Sequence, residues 1–151
     1  HADFLFGLGD FLIVEVAKVS SGTGPLWYLA QNVTAGSEEQ FLPGQLCVSY
    51  GMGVTDGCTL PAFAASAGPH VFVARRKGDV FTVRVDGAVE STVDRSADPP
   101  NIHVADYQQP FVFIGNAVTM QVSEVIVILG PTPDADLTTL EAHLKAKYAI
   151  L

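Results

Sequence analysis

An all-β chain of short antiparallel strands, closed by a single helix at its C-terminal end, is what this sequence predicts, and three stretches carry the prediction. Residues 69–93 alternate apolar and polar positions across two turn signals. Residues 11–19 and 120–129 are Val- and Ile-rich runs, too short for a membrane span and too β-branched to favour a helix. Residues 132–148 hold the one convincing helical periodicity.

Taken in order, FLIVEVAKV (11–19) follows a Gly-Leu-Gly-Asp turn and reads as a long strand, apolar on both faces, with Glu15 and Lys18 embedded in it. Ser20 to Gly24 is a turn cluster, and Leu26 to Ala30 is the next strand. Trp27 and Tyr28 alternate on it, so they point to opposite faces: one to the core, the other to a sheet surface where a flat ring can stack on a sugar. Burial of both rings in a two-layer sandwich is the competing reading. Residues 35–46 read as an acidic loop containing Glu38, Glu39, Pro43 and Gly44, leading into LCVSYG and Tyr50. Cys47 and Cys58 enclose a run of turn formers and can meet across a hairpin. A bridge there would stabilise by about 3 kcal/mol and place the chain outside the reducing cytosol; two free thiols are the alternative.

The stretch HVFVARRKGDVFTVRVDGAVESTV (70–93) reads as three strands, joined at Lys77-Gly78-Asp79 and at Asp86-Gly87, the second a strong two-residue hairpin signal. Phe81, Val83 and Val85 form its buried face. Arg75, Arg76 and Arg84 sit on strands, where they either meet an acidic saccharide or are simply solvated. Residues 94–110 are the longest stretch with no strand pattern. They supply Asp94, Asp98 and Asp106 as candidate calcium ligands, and Asn101, Tyr107 and Gln109 as candidate sugar contacts. The regular oxygen spacing of a calcium loop is missing, and a Pro-stiffened surface loop is the plainer reading.

Met120 to Leu129 places Val122, Ile126 and Ile128 on one face and Val125, Val127 and Leu129 on the other, so both faces call for cover. The helix that follows supplies one cover. Thr132 is its expected N-cap and Pro133 its first residue, with Asp134 and Asp136 at the positive end of the dipole. Leu137, Leu140, Leu144 and Tyr148 form the apolar stripe, and Glu141 with Lys145 a pair on the polar face.

The order FVFIG (111–115), SEVIVIL (123–129) and PDADLTTLEAHLKAKYAI (133–150) resembles the C-terminal signature of the concanavalin A-like, laminin-G-like jelly-roll domains of secreted bacterial proteins. His143 stands where an aromatic is usual in that signature, and Ala149 where glycine is usual. The resemblance implies a two-sheet antiparallel jelly-roll sandwich with one short C-terminal helix. It also implies a single domain over residues 1–151, excised from a longer secreted or cell-surface protein.

Composition narrows the function classes. The chain has 151 residues, 48% of them hydrophobic, enough for one domain that buries roughly 70% of its unfolded surface. With 8 basic against 16 acidic residues and a net charge of −8, most of its surface repels a phosphate backbone, which argues against nucleic acid. No run reaches transmembrane length. The Glu-x-Asp-x-x-Glu set that glycoside hydrolases on this sandwich carry is missing, as are a Gly-x-Ser-x-Gly elbow and zinc spacing, so an enzyme is not expected. Glu124, set in an apolar strand, is like the structural Glu of the resembled family. The reading that remains is a lectin-like module contacting glycan through Trp27, Tyr28, Tyr50, Asn101, Tyr107 and Gln109, with calcium as the one cofactor to consider. Its rival is a structural or adhesive sandwich that binds protein in a larger assembly, favoured by a charged fraction of only 16%.

Overall fold

The structure is a computed structural model and describes residues 10–22, 27–30, 38–42, 45–49, 55–59, 68–94, 96, 111–114 and 118–151, with side chains for 10–21, 68–89, 92, 94, 96 and 119–151. It is mostly antiparallel β-sheet with one short C-terminal helix. The elements run β1 (Phe11–Gly22), β2 (Trp27–Ala30), β3 (Glu38–Leu42), β4 (Gln45–Ser49), β5 (Thr55–Thr59), β6 (His70–Lys77), β7 (Val80–Val85), β8 (Ala88–Asp94), β9 (Phe111–Ile114), β10 (Val118–Leu129) and α1 (Asp134–Lys147). One five-stranded sheet has the order β10-β1-β6-β7-β8 and a second the order β5-β4-β3-β2-β9. The sheets approach each other where β4 lies against β7 and β8.

The first sheet has two unlike faces. On one, Leu12, Val14 and Val16 of β1 and Val71 and Val73 of β6 form a core with Leu137 and Leu144 of α1, flanked by Ile126, Ile128, Leu140, Tyr148 and Ile150. The stripe expected on the helix is therefore the face that packs. On the other face, Phe11, Ile13, Ala17 and Val19 alternate with that set and are buried with Phe72, Ala74, Phe81, Val83 and Val85. The two-sided hydrophobicity of β1 follows from its place in the sheet, between β10 and β6 with a layer on one face and burial on the other.

Several local expectations change. Residues 38–42 are strand β3, not part of a loop, because pairing with both β2 and β4 satisfies a backbone whose acidic side chains carry no strand pattern. The helix begins one residue later than expected. Pro133 takes the N-cap position in an extended conformation (φ −57°, ψ 147°), and its carbonyl accepts from Asp136 and Leu137 N–H, both at 3.1 Å. The Thr132 hydroxyl caps nothing and is buried without a partner among the described residues. A bulge between the Val16 and Ala17 pairings leaves Ser123 unmatched, so Val122 shares a face with Val125 instead of with Ile126.

The hairpin signal at Asp86-Gly87 is a tight turn with φ of 52° and 91°, the left-handed pair that such a turn requires. His70 reinforces it: its Nδ1 lies 2.6 Å from Asp86 Oδ2, while Val71 N–H donates to Asp86 Oδ1 at 2.9 Å.

At the far end Ala149 is left-handed, with φ 52°, just past the last helical turn. This is the position where the resembled domains carry glycine, and a Cβ there is strained. Ala149→Gly is expected to raise stability by roughly 0.5–1 kcal/mol, read as a higher urea midpoint at unchanged slope. An unchanged midpoint would mean that the Ile150 N–H bond to Lys145 O, 2.9 Å, already offsets the strain.

Candidate functional site

The second sheet carries two of the aromatic residues singled out for ligand contact, Trp27 and Tyr28, both on β2. β2 lies between β3 and β9, and the register pairs Tyr28 with Gln40 and with Phe113, and Trp27 with Phe41 and with Ile114. One step along, Ala30 pairs with Glu38 and Phe111, and Leu29 with Glu39 and Val112. β4 extends the rows, with Ser49 opposite Glu38, Val48 opposite Glu39, Cys47 opposite Gln40 and Leu46 opposite Phe41. Alternation along a strand then sorts these positions into two faces. The Trp27 face holds Leu29, Phe41, Leu46, Val48, Val112 and Ile114, with Glu39 on β3 and Asp56 and Thr59 on β5 as its polar positions. The Tyr28 face mixes Phe111 and Phe113 with Gln40, Glu38 and Ser49. Trp27 and Tyr28 occupy opposite faces, as their spacing requires.

Tyr50, Asn101, Tyr107, Gln109, Asp98 and Asp106 lie outside the described residues. Asp94 ends β8, exposed, and its Oδ1 accepts from Ser96 N–H at 2.8 Å, which holds its carboxyl below the usual range. Among the described residues no group of three or more His, Cys, Asp or Glu side chains is placed to hold a metal. Cys47 and Cys58 lie on paired strands, where the partners Leu46–Thr59 and Val48–Asp56 bracket Cys47 against Gly57 and Cys58. No helix among the described residues is long and apolar enough to cross a membrane.

The arginines considered for an acidic saccharide are committed elsewhere. Arg75 Nη1 donates to Asp134 Oδ1 at 2.6 Å and its Nη2 to Thr132 O at 2.5 Å; with Lys77, it keeps the Asp134 carboxyl low. Arg76 is buried, donates to Gly78 O, and lies 5.2 Å over the Phe81 ring. Arg84 forms a two-pronged pair with Glu141, Nε to Oε1 at 2.9 Å and Nη2 to Oε2 at 2.7 Å. Glu141 is thus buried against the sheet instead of pairing with Lys145, whose ammonium reaches Asp86 O.

Glu124 is half-buried beside α1 rather than enclosed. It accepts from Lys147 and from the Tyr148 hydroxyl, both at 2.9 Å, and these two donors, Lys147 first, lower its pKa. It has no partner acid among the described residues, so it is a strut between strand and helix.

The unexpected group is Glu15. It is fully buried on the face of β1 turned away from α1, between Phe72 of β6 and Val125 of β10, and neither carboxyl oxygen has a hydrogen-bond partner among the described residues. Burial pushes its pKa up to about 8, so it carries a proton at neutral pH.

No protein-family model matches the chain, and no curated protein matches its sequence. Solved structures do. The chain resembles HCR/D-Sa-GBL1/C with a TM-score of 0.62 at 9% identity, covering 91% of this chain and 37% of that one. It resembles a Trypanosoma rangeli sialidase, solved with the inhibitor DANA, with a TM-score of 0.55 at 15% identity over 89% of this chain and 23% of that one. The alginate lyase A1-II′, in a form carrying two engineered cysteines, gives 0.52 at 13% identity over 86% and 66%. The chain spans less than two thirds of each. At these identities the likeness is one of fold: the neighbours are β-sandwich and jelly-roll-like folds, with which the mostly antiparallel sheet of this chain is consistent.

Proposed function

We propose that this chain is a non-catalytic, extracellular carbohydrate-binding module on a two-sheet jelly-roll sandwich, with its ligand platform on the Tyr28 face of the second sheet. The observation that carries this reading is the register: it assembles Tyr28, Phe111 and Phe113 on one face with Gln40, Glu38 and Ser49. Flat rings offer stacking surface to the C–H face of a sugar, and amide, carboxylate and hydroxyl groups beside them answer its hydroxyls. The Trp27 face, apolar along β2, β4 and β9, is the one suited to turn inward. Tyr28, then, carries the stacking and Trp27 the packing. Tyr50, Asn101, Tyr107 and Gln109 are kept in this reading as further sugar contacts, and Asp94, Asp98 and Asp106 as calcium ligands if the ion is needed. Two of the structural neighbours, a sialidase and an alginate lyase, are saccharide enzymes by name, which supports the ligand class by analogy of fold alone.

A glycan-array screen of the purified chain, run with calcium and again with a chelator, tests the reading. Binding is expected to fall at least about tenfold in Tyr28→Ala with an unchanged circular-dichroism spectrum, whereas Trp27→Ala is expected to lower the melting temperature. Silence across the array in both conditions would sink the proposal and favour an adhesive domain that binds protein. That second reading has its own support in the uncovered apolar residues of β10.

A further inference from the structure

β10 is the outer strand of the first sheet and pairs only with β1 among the described residues. On its face away from α1, Val122, Val125 and Leu129 are 42%, 36% and 51% exposed, while Ile13 and Ala17 beside them on β1 are fully buried. An open strand edge with an uncovered apolar row is a template for another strand. Natural edges are guarded by charge or proline; from Val125 to Leu129 this one has neither.

We propose that a second copy of this chain occupies the edge, adding its own β10 antiparallel across a two-fold axis to join two sheets into one. The edge is self-complementary in register, and its lack of charge removes the main obstacle to that occupant. A chain of net charge −8 repels its copy except along an uncharged contact, and Val125–Leu129 is such a contact. A two-fold pairing opposes residues whose numbers have a constant sum, and an even sum keeps each apolar row on its own face. Centred on Val127, it sets Val125 against Leu129 and Ile126 against Ile128, and leaves Glu124 opposite Gly130. Centred on Glu124, it would face two carboxylates. The remaining edge charge is already answered within each copy, since Lys147 Nζ lies 2.9 Å from Glu124 Oε2.

This proposal does not depend on the carbohydrate reading. Sedimentation equilibrium from low micromolar to about 1 mM, at low salt and at about 0.5 M salt, is expected to show a monomer–dimer equilibrium that salt strengthens by screening the like charges. Val125→Lys is expected to weaken the dimer at least about tenfold, and Val89→Lys, at an exposed position on β8 at the opposite edge, to leave it unchanged. A monomer at every concentration overturns the proposal and leaves the edge to some other extended segment. A dimer indifferent to Val125→Lys overturns it too, by placing the interface elsewhere. Should Val125→Lys fail to fold, hydrogen exchange of the unaltered chain decides: β10 amides are expected to gain protection on concentration, and equal protection at both ends of the range refutes the pairing.

Discussion

Replacing Glu15 by methionine is expected to stabilise the chain at pH 8 by on the order of 5 kcal/mol and to remove a pH dependence that runs opposite to the usual acid lability of proteins. In the folded chain the Glu15 carboxyl holds its proton up to about pH 8, whereas in the unfolded chain it loses it near the ordinary value of 4.5. Between these two values the native state binds more protons than the unfolded one, so stability falls as pH rises. The stabilising effect of the retained proton is complete below about 4.5, declines through the window, and is gone above about 8, where both states are ionised. Glu15→Met has no proton to lose and fills a similar volume. Glu15→Gln should flatten the curve in the same way but leave a buried amide lacking a described partner, and so gain less. Urea denaturation of all three proteins from pH 4 to 9 is the measurement. Parallel curves for the unaltered chain and Glu15→Met would mean that the carboxyl is solvated or paired, and the argument would fall.

The second large effect is expected at the helix–sheet seam. Glu141→Ala leaves the Arg84 guanidinium under α1 with the Gly87 carbonyl, 2.8 Å from Nη2, as its one acceptor among the described residues, and removal of one partner from a pair whose carboxylate is buried costs up to roughly 3–5 kcal/mol. The double replacement Arg84→Met with Glu141→Leu should recover most of that loss, because an apolar pair of similar volume needs no desolvation of charge. Midpoints of chemical denaturation for the two single variants and the double variant complete the cycle. Single losses below about 1 kcal/mol would show that the pair behaves as a surface ion pair despite the burial of Glu141.

These two groups mark where reading along the chain stops. Glu15 stands out in FLIVEVAKV, yet nothing in that run says that its face is covered and offers it no partner among the described residues. Arg84 reads as a solvated position between Thr82 and Asp86 on its strand face, and Glu141 as the partner of Lys145; the two meet across 57 residues of sequence. The bulge at Ser123, which turns Val122 onto the face of Val125, has no signature in the side chains. β3 is hidden in the sequence because Glu38, Glu39 and Gln40 lack apolar alternation, and its strand state depends on the neighbours that pair with it.

The same holds for the candidate platform. Phe111 and Phe113 are legible as one apolar strand, and Tyr28 as a ring on another, but sequence spacing cannot say that β9 lies beside β2, some eighty residues away. Wherever a decision is local, the chain makes it openly. Runs of Val and Ile mark β1 and β10, a period of two marks β7, an Asp-Gly pair with left-handed backbone makes the β7–β8 turn, and periodicity near 3.6 with acid first and base last makes α1. Which strands became neighbours, which charges found each other beneath the helix, and which described strand came to lie outermost were settled by long-range packing, because each depends on the free energy of burial summed over segments that share no sequence proximity.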